Sequence, residues 1–129
     1  MYEMKDEFYT GIQMIDEEHT KLIQICEDTY QLLNDELLHD KYDHLYQLIE
    51  ELKAYTKKHF ADEEEYMKSI NYKRIYLQKV QHRKFIAKLD SINLLEADEK
   101  QHETITELLA FLTDWLFNHI IHMDKLIGT

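Results

Sequence analysis

The sequence contains no proline and only two glycines, Gly11 and Gly128, in 129 residues. Sheets and tight turns draw on those residues for their special backbone angles, so a chain this long without them is read as long helices joined by short polar loops. Cys26 is the only cysteine, which excludes an internal disulfide and a thiolate cluster. Positive charge is scarce: 15 Lys and Arg stand against 26 Asp and Glu, a net charge of -11. That balance repels nucleic-acid phosphates and anionic membrane surfaces. No apolar run approaches the length that crosses a bilayer, and the opening MYEMKDEFYT does not read as a signal peptide. A soluble cytoplasmic protein is the expectation, and the length suits one domain over residues 1–129.

What the chain does have is hydrophobic periodicity. A first helix is expected from an N-cap at Asp16, with Ile15, His19, Leu22, Ile23, Cys26, Tyr30, Leu33 and Leu37 on one face. The polar segment NDELLHDKYD ends it between Leu38 and Tyr42. A second helix carries Leu45, Leu48, Leu52, Tyr55, His59 and Glu63 and ends near Tyr66 to Ile70. Asn71 is placed as the cap of a third, whose stripe is Ile75, Gln78, His82, Phe85, Leu89 and Ile92. After the polar stretch EADEK, a fourth carries Ile105, Leu108, Leu112, Trp115, His119 and Met123. Each stripe is wide enough to face a shared core. Short connections make neighbours antiparallel, so the expected fold is all-α: an up-down-up-down four-helix bundle with a short N-terminal arm.

That topology gathers the histidines. His19 starts the first helix, His59 and Glu63 end the second, Gln78 and His82 start the third, and His119 and Asp124 end the fourth. All four places lie at one end of the bundle, about 27 Å from the other at ~1.5 Å per residue. A lone histidine on an apolar stripe is commonly a core residue satisfied by a hydrogen bond. Four at one depth beside two carboxylates are another matter, because buried carboxylates without partners are very costly. A bound cation resolves the conflict. His59 and Glu63, like Gln78 and His82, are four apart and project from one helix face. Asp124 follows His119 by five, a turn of about 140° on a continuous helix, which suits a carboxylate reaching sideways to bridge two ions. Imidazole and carboxylate suit iron, manganese or zinc. The count is too large for one catalytic zinc and fits two ions.

These segments resemble the hemerythrin family, in particular its small bacterial members. GIQMIDEEHTKL resembles the family's segment around its first histidine, YTKKHFADEEEYM its HxxxE segment, and WLFNHIIHMDKLIG its closing HxxxxD segment. The resemblance spans nearly the whole chain. It implies two non-haem irons joined by an oxo or hydroxo bridge and by the carboxylates of Glu63 and Asp124. His19 and His59 would complete one iron and leave it an open position for dioxygen or another small diatomic or peroxide ligand. His82 and His119 would hold the other iron, and Trp115, Leu116 and Ile120 would line the apolar pocket. The chain departs from the pattern at one place. The family's third helix carries HxxxH, and Gln78 stands where its first histidine belongs. Three arrangements are open: Gln78 ligates through its amide oxygen, it holds a ligating water, or the second iron loses a ligand and binds weakly. The resemblance leaves open an oxygen carrier, store or sensor module, an enzyme acting on peroxide, nitric oxide or ferrous iron, and a bundle that has lost its metal chemistry.

The remaining polar residues read as ordinary. His39, His44 and His102 are expected in solvent far from the site, and His122 on the surface. Cys26 reads as a small buried apolar residue. Glu64 and Glu65 read as a solvated acidic edge, with support of a ligand from behind as the alternative for Glu64.

Overall fold

The computed structural model of the chain describes residues 2–128. Four long helices dominate it: α1 (Gln13–Leu33), α2 (Tyr42–Ser69), α3 (Ile75–Asp90) and, after a short α4 (Leu94–Glu99), α5 (Gln101–His122). Single 3-10 turns at Asp6–Phe8 and Asp124–Gly128 flank them. Helix α1 packs on α2 and α5, and α2 packs on α3. Helix α3 meets α5 through aromatic rings, Phe85 lying 5.1 Å from Phe111 and 4.5 Å from Trp115. The start of α1, the end of α2, the start of α3 and the end of α5 share one end, which is the expected antiparallel bundle.

Helix boundaries depart from expectation at four places, each for a local reason. Helix α1 begins three residues before Asp16, with Ile12 at its N-cap. The Asp16 carboxylate instead fastens the incoming arm. It accepts the Thr10 N–H and hydroxyl, both at 2.8 Å, and the Gly11 N–H at 3.1 Å. At its other end α1 stops at Leu33, short of the expected boundary. Asn34 Nδ2 donates to the Tyr30 carbonyl at 2.9 Å, and Asp35 Oδ1 accepts the Leu37 N–H at 3.1 Å. Polar side chains thus compete for the backbone and close the helix. Leu37, expected on the buried stripe, is consequently 93% exposed.

Asn71 does not cap the third helix; it terminates α2. It sits in the left-handed region at φ 52°, with Tyr72 N–H donating to Met67 O at 2.9 Å and Asn71 N–H to Lys68 O at 3.2 Å. This pair is the Schellman termination, for which asparagine is suited because its short polar side chain tolerates the left-handed region. Helix α3 then starts at Ile75 with Arg74 at its N-cap. The stretch EADEK is likewise not all loop: its first four residues fall in α4, where Asn93 Oδ1 accepts the Glu96 N–H at 3.2 Å.

The arm is held by Phe8, which is buried and stacks on Phe117 at 5.1 Å. Burying one such ring is worth about 1.5–3 kcal/mol. The main core runs the length of the bundle through Leu22, Ile23, Leu52, Phe85, Leu112 and their neighbours. A second, smaller cluster of Ile15, Met67 and Ile127 closes the end that carries the histidines, with Ile12, Tyr72 and Ile75 packed around it. Polar groups inside the main core are locally satisfied. Thr29 and Thr56 hydroxyls donate to the carbonyls one turn earlier, at 2.8 and 2.7 Å. No helix among the described residues is long and apolar enough to cross a membrane.

Candidate metal centre

Between those two apolar clusters lies one polar layer. Ile15 precedes His19 by a turn, Met67 follows Glu63 by a turn, and Ile75 precedes Gln78 by three residues. Helical register therefore places an apolar residue beyond each polar one, and the layer is sealed from water at the bundle end. His19, Glu63 and Gln78 are 0% exposed, and His59, His82, His119 and Asp124 at most 3%. All seven residues expected at the site meet here.

Glu63 and Asp124 sit at the middle. Glu63 Oε2 lies 3.5 Å from His19 Nε2 and 3.4 Å from His59 Nε2, while its Oε1 lies 3.1 Å from His82 Nε2. Asp124 divides in the same way, Oδ2 at 2.9 Å from His19 Nε2 and Oδ1 at 3.0 Å from His119 Nε2. Two groups of ligating atoms result: His19, His59, Glu63 and Asp124 in one, Glu63, His82, His119 and Asp124 in the other. Within each, the atoms all lie within 4.8 Å of one another.

Asp124 reaches this place differently from the expected 140° turn on a continuous helix. Helix α5 ends at His122, and Asp124 opens the 3-10 turn that follows. The turn is docked on the arm, so closely that a Cβ on Gly128 would run into the Thr10 carbonyl.

Three of the four imidazoles are anchored from behind. His59 Nδ1–H donates to Glu18 Oε1 at 2.9 Å, His82 Nδ1–H to Glu64 Oε2 at 2.8 Å, and His119 Nδ1–H to Gln81 Oε1 at 2.9 Å. Each partner is an acceptor oxygen, so Nδ1 carries the proton and Nε2 faces inward as the ligating atom. Glu18 is itself held by Lys58 Nζ at 2.8 Å. Rings fix the second pair further: Phe60 stacks on His82 at 3.9 Å and Trp115 on His119 at 4.4 Å. Leu116 and Ile120, expected with Trp115 as pocket lining, are buried in the main core, and Trp115 is half-buried.

Whether the layer suits a cation can be judged from its unmet polarity. Both ring nitrogens of His19, both oxygens of Glu63 and Oε1 of Gln78 are buried with no hydrogen-bond partner. His19 Nε2 lies 3.5 Å from Glu63 Oε2 and 2.9 Å from Asp124 Oδ2 without forming a hydrogen bond to either. Buried atoms of this kind cost about 1–3 kcal/mol each when nothing satisfies them. His82 Nε2 and His119 Nε2 also face each other at 3.3 Å, although both rings already hold their proton on Nδ1. Two lone pairs at that distance need a positive charge between them.

The electrostatics of the layer make the same demand for positive charge. Burial alone would push His59 down, yet Glu18 and Glu63 outweigh it and hold the ring up at about 10. Burial likewise opposes His19, and Asp124 and Glu63 raise it nonetheless. Burial would raise Glu63, but His19, His59 and His82 keep it well below the ordinary carboxylate value. Glu18 follows suit: burial opposes its charge, and the hydrogen bond from His59 leads those that lower it to about 2. Protons held on His19 and His59 balance the buried carboxylates in the way that a cation would.

Residues 10–129 match the family described as the hemerythrin HHE cation binding domain. The chain belongs to the hemerythrin family. It is 43% identical to a bacteriohemerythrin of Clostridium acetobutylicum over 97% of this chain and 97% of that protein. A bacteriohemerythrin of Pseudomonas paraeruginosa is 33% identical over 93% of this chain and 74% of its own length. One of Stenotrophomonas maltophilia is 30% identical over 94% of this chain and 75% of its length.

Two residues of this hemerythrin site escaped the reading of the sequence. They are Glu18 and Gln81. Each acts across the bundle, 41 and 38 positions from its histidine, where local spacing carries no signal. Glu64 supports His82, so the alternative reading of this residue holds in place of a purely solvated edge. Cys26 is buried and its thiol is pushed up to about 12 by burial, while His39, His44, His102 and His122 are exposed.

Proposed function

We propose that this hemerythrin domain, residues 1–129, holds two non-haem irons and binds dioxygen reversibly as a cytoplasmic carrier, store or sensor module. His19 and His59 would bind one iron, His82 and His119 the other, and Glu63 and Asp124 would bridge them. The observation that carries this reading is that both carboxylates belong to both groups of ligating atoms, one oxygen turned to each side. An iron pair there supplies the two-electron chemistry that taking up dioxygen requires.

The chain's own residues prepare the place. Glu18, Glu64 and Gln81 hold three imidazoles in the tautomer that ligates. Ile15, Met67 and Ile127 exclude water at the bundle end, and Leu116, Ile120 and Trp115 do so from the core side. Exclusion of bulk solvent favours holding a small apolar gas over hydrolysis and proton leakage. Anaerobic protein loaded with ferrous iron should take up oxygen stoichiometrically and release it under vacuum without consuming reductant. Steady consumption of peroxide or nitric oxide instead would make the site an enzyme. Gln78 favours that second reading, since it leaves the second iron with one imidazole fewer than the family pattern implied in the sequence.

A further inference from the structure

The Gln78 side chain is fixed at one end and free at the other. Its Nε2 donates to Asp124 Oδ1 at 3.0 Å, and Oε1 has no protein partner although the residue is fully buried. The amide cannot be turned the other way, because a carboxylate oxygen accepts and would repel the carbonyl. A bare acceptor is therefore held on the amide whose other end binds Asp124 Oδ1, the oxygen that faces His119.

The polar side chains behind the two imidazoles of this half are already engaged with them. The Glu64 oxygen is occupied by His82 and the Gln81 oxygen by His119. The two imidazoles are themselves clamped by Phe60 and Trp115. Each half is left with two imidazoles and two shared carboxylates. A cleft between α2 and α3, lined by Phe60, Glu64 and His82, borders this half, and Lys57 and Arg83 stand on its wall. Two cations beside such an approach favour small anions.

Resting on the two-iron reading above, we propose that Gln78 gives the His82–His119 half a second exchangeable ligand position, filled by water at rest and open to small anions. Gln78 Oε1 accepts a hydrogen bond from that water, and from any entering ligand that retains a proton.

Protein loaded with ferric iron and titrated with sodium azide tests this, with iron counted per chain and azide stoichiometry read by calorimetry. Two irons and two azides per chain are expected for the native sequence, falling to one azide in Gln78→His. Two irons with one azide in the native protein would overturn the proposal alone, placing Gln78 as a closed ligand. Fewer than two irons would overturn the two-iron reading first, and this proposal with it. Two azides in a folded Gln78→His would overturn it as well, and one azide in the native protein overturns it whether or not that variant folds.

Discussion

Glu18 accepts the Nδ1 proton of His59 at 2.9 Å across the α1–α2 interface, and Lys58 holds the same carboxylate from outside at 2.8 Å. Removing it should free the His59 ring to rotate. Glu18→Ala is expected to weaken iron binding about 10- to 100-fold, the usual effect of losing such an anchor. The ion count at saturation should not change. A competition titration against a chelator measures this; unchanged affinity would show that packing alone orients His59.

The iron-free protein should lose stability in alkali. His59 is raised from 6.5 to about 10 in the folded state, so its contribution is complete below pH 6.5 and disappears as pH rises through about 10. Glu63 is depressed below 4.5, so its contribution is present above that pH and is lost as the solution becomes more acidic. Thermal melts of metal-free protein should therefore be highest between roughly pH 4.5 and 6.5. Loaded protein should keep its Tm through pH 8 and 9, where the ion replaces the protons. Parallel pH profiles of the two forms would contradict this.

The glycines make a contrasting pair. Gly128→Ala must push the C-terminal turn off the Thr10 carbonyl, and that turn carries Asp124. Lower Tm and weaker binding of both ions are expected together. Gly11 has φ 87° with open space around it, so Gly11→Ala should cost about 1 kcal/mol in backbone strain and leave ion binding intact.

Met67 seals the bundle end beyond Glu63 and is 0% exposed. Met67→Ala should destabilise the protein by about 2–5 kcal/mol. It should also admit water and speed oxidation of the loaded site, which stopped-flow absorbance would follow.

The sequence made the bundle and the seven converging residues legible, because both depend on helical period and antiparallel order. Helix ends were less so. Asn34 and Asp35 stop α1 through side-chain hydrogen bonds, and Asn71 ends α2 through a left-handed residue, where spacing had suggested continuation and a new start. The place of Asp124 was right in effect and different in cause: the helix stops before it and a 3-10 turn delivers it. Glu18 and Gln81 were illegible as anchors because their partners arrive from other helices.

Iron content per chain after anaerobic loading tests the central claim most directly, measured for the native protein beside His119→Ala and Glu63→Ala. Two shared carboxylates predict two irons in the native chain, a selective loss of one in His119→Ala, and loss of both in Glu63→Ala. At most one iron in the native chain, or a Glu63→Ala variant that keeps one tightly bound, would contradict a centre built on shared carboxylates.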